Sequence, residues 1–153
     1  MPETGLRNDI VHQPLEAIQA RAREDRTTVN WHLDDYDTDT AGNIAIQADV
    51  ALVFINSDSG EQYITVDGNE GDRNNLTAWN NGDNLVQAVA AQNEHTIVVV
   101  HSVGPLIVEP WIENPNITAV GDSLAYWVAL RCAQALIRSS GLAYQEQKRV
   151  TLS

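Results

Sequence analysis

Two apolar runs of strand length set the terms for this chain: Val50–Ile55, reading VALVFI, and Thr96–Val100, reading TIVVV. Neither alternates with polar residues, so each reads as a strand covered on both faces. Between them a helical repeat carries Leu85, Val86 and Val89 on one face, with Asp83 as its cap and an end near Ala91. Strand, helix, strand implies a crossover and a parallel pair. Around this unit, Pro14–Arg23 reads as a helix, Thr27–Leu33 as a short strand and Ala41–Ala48 as a short helix. Ile117–Val120 reads as a further strand, while the pattern of Leu106–Ile112 fits helix and strand equally. The expected fold class is α/β with a mostly parallel sheet, and 153 residues suffice for one sizeable core.

Charge narrows the partners. A formal net charge of −12 argues against nucleic acid. No apolar run reaches membrane-spanning length, so no membrane partner is expected, and the N-terminal MPETGLRNDIVHQ lacks the apolar core of a signal peptide. The charge is uneven: residues 1–122 hold 20 acidic and 5 basic side chains, residues 123–153 hold 1 and 4. That asymmetry suggests a different origin for the tail. Cys132 is the lone cysteine and reads as a small buried hydrophobe; a disulfide within the chain is impossible. The four histidines (12, 32, 95 and 101) show no metal-ligand spacing. Asp35, Asp37 and Asp39 alternate as in a calcium loop, but Thr40 and Ile46 stand where glycine and glutamate belong, leaving an acidic turn. No phosphate-cradling glycine motif is present, so nucleotide binding has no support; with no metal-ligand spacing either, no metal or cofactor is expected.

The chemistry concentrates in Asp58–Trp79, the long connection leaving the carboxyl end of the first apolar run. In open parallel sheets, ligand crevices lie beyond that end. Its carboxylates are Asp58, Glu61, Asp67, Glu70 and Asp72, with Arg73 among them and aromatics at Tyr63 and Trp79. A glycosidase needs one carboxyl group to protonate the leaving oxygen and a second as nucleophile or base. Glu61, close to the strand end, is the best-placed acid; the aspartates can equally be loop scaffolding that binds backbone N–H groups. Asn75-Leu76-Thr77 and Asn116-Ile117-Thr118 are glycosylation sequons. Gly121-Asp122-Ser123-Leu124 resembles the nucleophile block of GDSL-type ester hydrolases, but these need a histidine downstream, and none follows His101. Asp122 as a helix cap is the simpler reading.

The stretch from Ala48 to Val89, with TIVVVHSVGPLIVEPW and NPNITAV after it, strongly resembles fungal β-glucosidases of glycoside hydrolase family 3. With PLEAIQARARED and TTVNWHLDDYDTD the likeness covers about residues 9–120. The resemblance implies part of the three-layer α/β-sandwich domain that follows the family's catalytic barrel. It implies that Glu61 is the general acid/base, that Tyr63 lines the aglycone side, and that the substrate is a β-glucoside or cello-oligosaccharide hydrolysed with retention. The family is secreted. Its motif reads Ser-Gly-Glu-Gly-Tyr, so Gln62 departs from it, and a positive φ there would strain the loop. The family's nucleophile is an Asp directly before a Trp in the barrel; none of Trp31, Trp79, Trp111 and Trp127 follows an Asp. The expectation is therefore a β-glucosidase fragment, inactive without its barrel domain. A non-catalytic carbohydrate- or protein-binding remnant is the alternative, and an ester hydrolase built on Ser123 stands behind both. Residues 1–120 are expected to form the incomplete family domain and 121–153 a divergent tail. After NITAV the family runs through a Gly-Leu-Pro-Gly-Gln-type loop, which is missing here. The expected cause is a skipped segment and a changed reading frame, with a helix on Leu124, Trp127, Val128, Cys132, Ala135 and Leu136.

Overall fold

The computed structural model describes residues 14–122 and 149–152. In chain order the elements are α1 (Pro14–Glu24), β1 (Thr28–Trp31), α2 (Thr38–Ala45), β2 (Val50–Ser57), β3 (Thr65–Val66), β4 (Asn69–Glu70), α3 (Gly82–Ala90), β5 (Thr96–Ser102), β6 (Ile117–Asp122) and β7 (Arg149–Leu152). The two apolar runs are β2 and β5. They pair in parallel from Ala51 opposite Thr96 to Ser57 opposite Ser102. The sheet order is β1-β7-β2-β5-β6, and every pairing in it is parallel. That is the mostly parallel α/β architecture expected from the alternation of buried strands and helical repeats.

Strand alternation sends successive side chains to opposite faces, and helices cover both. On one face Val53, Ile55, Val98 and Val100 pack with Ala41 and Ala45 of α2, with Leu85, Val86 and Val89 of α3, and with Trp111. Each fully buried Val or Leu here contributes about 1.5–3 kcal/mol of apolar burial. On the other face Leu52, Ile97 and Leu152 pack with Ile18 of α1. Ala41, Gly42 and Ala45 give α2 a small-residue face, all three being buried. Asn93 closes this layer: its Nδ2 donates to Ala45 O at 2.9 Å and Ala48 O at 2.7 Å, and its Oδ1 accepts from His95 N at 2.8 Å.

Several elements differ from the sequence expectation. The short helix α2 starts at Thr38, not Ala41, because Asp37 Oδ1 accepts from Thr40 N at 3.1 Å and caps it. The turn that mimics a calcium loop is thus a helix start. Asp83 is not the cap of α3. Asn80 and Asn81 are both left-handed (φ 51° and 62°), a conformation asparagine tolerates, and they turn the chain directly into the helix. Asp83 Oδ1 accepts instead from Trp111 Nε1 at 2.8 Å, which satisfies the indole of a residue only 2 % exposed. Leu106–Ile112 is neither helix nor strand; it ends in a turn in which Trp111 N and Ile112 N both donate to Val108 O.

The largest difference is β7. Four residues from the tail expected to be helical form a strand in the interior of the sheet. Thr28 to Trp31 pair with Arg149 to Leu152 on one side, and Val50 to Leu52 pair with Val150 to Leu152 on the other. Thr151 is fully buried and Leu152 is 4 % exposed. β6 also runs past residue 120, so Asp122 ends a strand and is not a helix cap. The helix expected on residues 124–136, Cys132 and Ser123 lie outside the described residues.

Candidate functional site

The Asp58–Trp79 connection is built from hydroxyl, amide and backbone bonds. Beyond the end of β2 the chain makes a tight turn in which Ile64 N donates to Glu61 O at 2.8 Å. Gln62 sits at its first central position with φ 50°. A positive φ there is the signature of a turn that favours glycine. The strain foreseen for a glutamine in place of the family's glycine is present. The next reversal is the β3–β4 hairpin, with Thr65 opposite Glu70 and Val66 opposite Asn69. Its two loop residues, Asp67 and Gly68, both have positive φ (46° and 82°), as a two-residue hairpin loop matching the strand twist requires.

The two limbs of the loop then join. Gly71 N donates to Ile64 O at 3.0 Å, and Asn69 Nδ2 reaches the carbonyls of Gly71 and Asp72 at 3.3 and 2.9 Å. Ile64 O lies so close over Gly60 that a β-carbon added there would be 2.1 Å from it. Arg73 N donates to Ser59 Oγ at 3.0 Å, and the Arg73 guanidinium reaches Ser57, Ser102 and the Pro105 carbonyl. Trp79 N donates back to Asn56 O at 2.9 Å and closes the connection onto β2.

Glu61 and Tyr63 stand exposed on the same turn, with Tyr63 80 % accessible. Asp58, Asp67, Glu70 and Asp72 are also exposed, and among the described residues none forms an ion pair with Arg73. Two shallow clefts among the described residues are lined by neither Glu61 nor Tyr63. One, of about 400 Å³, is lined by Asn30, Trp31, Ile44 and Gln47. The other, of about 340 Å³, lies between the ends of β5 and β6 and the turn through Pro105 and Val108. The described residues include no cluster of His, Cys, Asp and Glu suited to a metal ion.

The remaining candidates are scattered. His101 stacks on Phe54 with ring centroids 6.1 Å apart. His32 Nε2 is buried 3.8 Å from Asp37 Oδ2 without a hydrogen-bond partner among the described residues. Burial, followed by the neighbouring Asp34, pushes the Asp35 carboxyl up, while the bonds from Thr40 hold Asp37 down. Asn75 is exposed, and its Oδ1 accepts from Thr77 Oγ1 at 3.1 Å. Asn116 is half-buried, and its Nδ2 donates to Ala90 O at 2.7 Å. Two features of the loop escaped sequence reasoning. The hairpin was signalled by Asp67-Gly68, a dipeptide suited to that turn. The placement of Arg73 had no local signal.

Comparison with known proteins decides the lineage. The sequence profile described as the Glycosyl hydrolase family 3 C-terminal domain matches residues 3–128. The chain belongs to this family. A β-glucosidase of Schizophyllum commune is 64 % identical over 107 residues, covering 70 % of this chain and 56 % of that protein. Beta-glucosidase 1 of Aspergillus aculeatus is 53 % identical over 112 residues, covering 70 % of this chain and 12 % of that protein. The crystal structure of a β-D-glucoside glucohydrolase from Trichoderma reesei matches with a TM-score of 0.68 at 50 % identity, over 71 % of this chain and 15 % of that one. A glycoside hydrolase family 3 β-glucosidase from Neurospora crassa matches with a TM-score of 0.67 at 44 % identity, over 71 % and 13 %. The chain therefore spans little more than half of one curated relative and about an eighth of the other.

Proposed function

We propose that this chain supplies the acid/base half of a retaining β-glucosidase active site. Its partner would be a nucleophile-bearing barrel domain, and its substrate the terminal β-D-glucosyl residue of a cello-oligosaccharide or related β-glucoside. The observation that carries the reading is the placement of Glu61. It stands with Tyr63 on a tethered turn beyond the carboxyl end of β2, free to meet a second surface. In the first step the Glu61 carboxyl gives its proton to the glycosidic oxygen as the C1–O bond breaks and the barrel's carboxylate attacks C1. In the second step the Glu61 carboxylate takes a proton from the water that attacks C1, as the bond between C1 and the barrel's carboxylate breaks and frees the sugar. Tyr63 lines the aglycone side.

The chain alone is inactive in this reading. It has no Asp-Trp pair to act as nucleophile, and a carboxyl group open to water gains little catalytic power until a second domain covers it. Residues 1–120 are the incomplete family domain and 121–153 a divergent tail, of which β7 has been built into the family's sheet. Asn75 and Asn116 are the acceptors for N-glycans wherever the chain is made in a secretory pathway. The test mixes the purified chain with a separately produced barrel domain from a relative and follows nitrophenol release from an aryl β-glucoside. Activity is expected in the mixture alone, and is lost with Glu61→Gln. Release by the unmixed chain, or survival of activity in the Glu61→Gln mixture, would overturn the proposal.

A further inference from the structure

The guanidinium in the acidic loop is bonded to neutral groups at the strand ends. Arg73 Nη1 donates to Ser57 Oγ at 2.6 Å and to Ser102 Oγ at 3.4 Å, and Nη2 donates to the Pro105 carbonyl. Ser57 and Ser102 face each other as the last residues of β2 and β5. One planar cation thus spans the carboxyl ends of the two central strands. The same residue holds the loop by its backbone, because Arg73 N donates to Ser59 Oγ at 3.0 Å and Ser59 Oγ donates to Gly60 O at 3.0 Å. A continuous path of bonds therefore runs from the sheet through Arg73 and Ser59 to the residue before Glu61.

From this arrangement we infer that Arg73 is the positioning residue for Glu61, fixing where the proton donor stands relative to the sheet. The inference rests on Glu61 being the acid/base. Arginine suits the task because its fork reaches three acceptors in fixed directions and keeps its charge at any working pH; lysine, a single point donor, cannot reach all three. Ser57, 1 % exposed at the end of β2, sets one attachment point inside the sheet. The carboxylates nearby stay in water and make no ion pair with it among the described residues.

The experiment uses the full chain. In Arg73→Ala the amides of Ile64 and Gly71 should exchange about tenfold faster, while Val86 and Val89 in α3 keep wild-type protection. Arg73→Lys should restore part of the loss. A Ser57→Ala/Ser102→Ala double variant removes the acceptors and keeps the cation; it should show the same local loss, and it serves if Arg73→Ala fails to fold. With a barrel domain supplied, Arg73→Ala should lower kcat/KM, which reports the leaving-group step, strongly for a glucoside with a poor leaving group and little for a dinitrophenyl glucoside. Only the former needs its leaving oxygen protonated. Unchanged protection at Ile64 and Gly71, loss spread equally into α3, or equal loss of kcat/KM on both leaving groups would overturn the inference. An inactive wild-type mixture would refute the glucosidase reading instead, and the exchange measurement would still decide the tether between Arg73 and the turn.

Discussion

Replacing Gly60 by alanine puts the architecture of the loop to its sharpest test. The added methyl would lie 2.1 Å from Ile64 O and 3.0 Å from Gly71 O, both backbone atoms. A carbon needs at least about 3 Å from such an oxygen, so one of the two limbs must shift by about 1 Å. Ile64 O is the acceptor for Gly71 N at 3.0 Å, and Ile64 N closes the turn onto Glu61 O at 2.8 Å, so the shift strikes both bonds. At about 1 kcal/mol for each bond, the turn loses about 2 kcal/mol, or roughly thirtyfold in local opening. The core is untouched, so global stability should fall by no more than about the same 2 kcal/mol. Amide exchange followed by NMR reads both scales at once. Faster exchange at Ile64 and Gly71 is expected, with any loss of protection in β5 no larger than theirs. If Ile64 and Gly71 keep their protection within about twofold, the close approach over Gly60 does not hold the turn and the reasoning fails.

Gln62→Gly should remove a left-handed penalty of about 1 kcal/mol, partly offset by the flexibility of glycine in the unfolded chain, leaving a net gain of roughly 0.5 kcal/mol. Slower exchange at Ile64 in Gln62→Gly but not in Gln62→Ala is the expected reading, and identical behaviour of the two would count against strain. Asn93→Ala deletes three bonds around a buried amide and should destabilise the fold by about 2–3 kcal/mol in urea titrations; a loss under about 1 kcal/mol would contradict the role assigned to it. Asp37, whose carboxyl is held below the ordinary aspartate value of 3.8 by its bonds from Thr40, adds stability above that pH. The contribution is lost as the pH falls through its depressed folded value. Asp37→Asn keeps an acceptor but not the charge, so it should be less stable than the parent near neutrality, with the gap closing well below pH 3.8; a gap of constant size would refute the assignment.

The parts of the fold legible in the sequence were those whose burial is uniform. β2 and β5 are dry on both faces, so after Thr96, whose hydroxyl is bonded to Asn93 O, their runs admit no polar residue until the carboxyl ends, where Asn56 and Ser57 face His101 and Ser102 across the ladder. The core face of α3 was legible for the same reason. Helix starts were less so, because a side chain that can cap can also satisfy another group: Asp37 caps α2 where no cap was expected, and Asp83 binds the Trp111 indole. Glu61 owed its selection partly to its place after β2 and chiefly to family likeness. Arg73 looked like a cation among carboxylates because sequence proximity suggests ion pairs, whereas its partners lie 16 to 32 residues away. β7 was illegible: a four-residue strand, RVTL, with a fully buried threonine, offers no periodicity to read.

That strand also dictates an order of events in time. β1 and β2 leave between them a slot that only Arg149–Leu152 fills. During synthesis both neighbours exist for more than 90 residues before the occupant is made. Chains grow at about 5–20 residues per second, so for several seconds each nascent molecule carries two open strand edges in the middle of its future sheet. Such edges accept strands from other chains as readily as from their own. A chain interrupted within this interval would lack the strand that joins β1 to β2, and the yield of folded protein should depend on how quickly the codons for Arg149–Leu152 are reached.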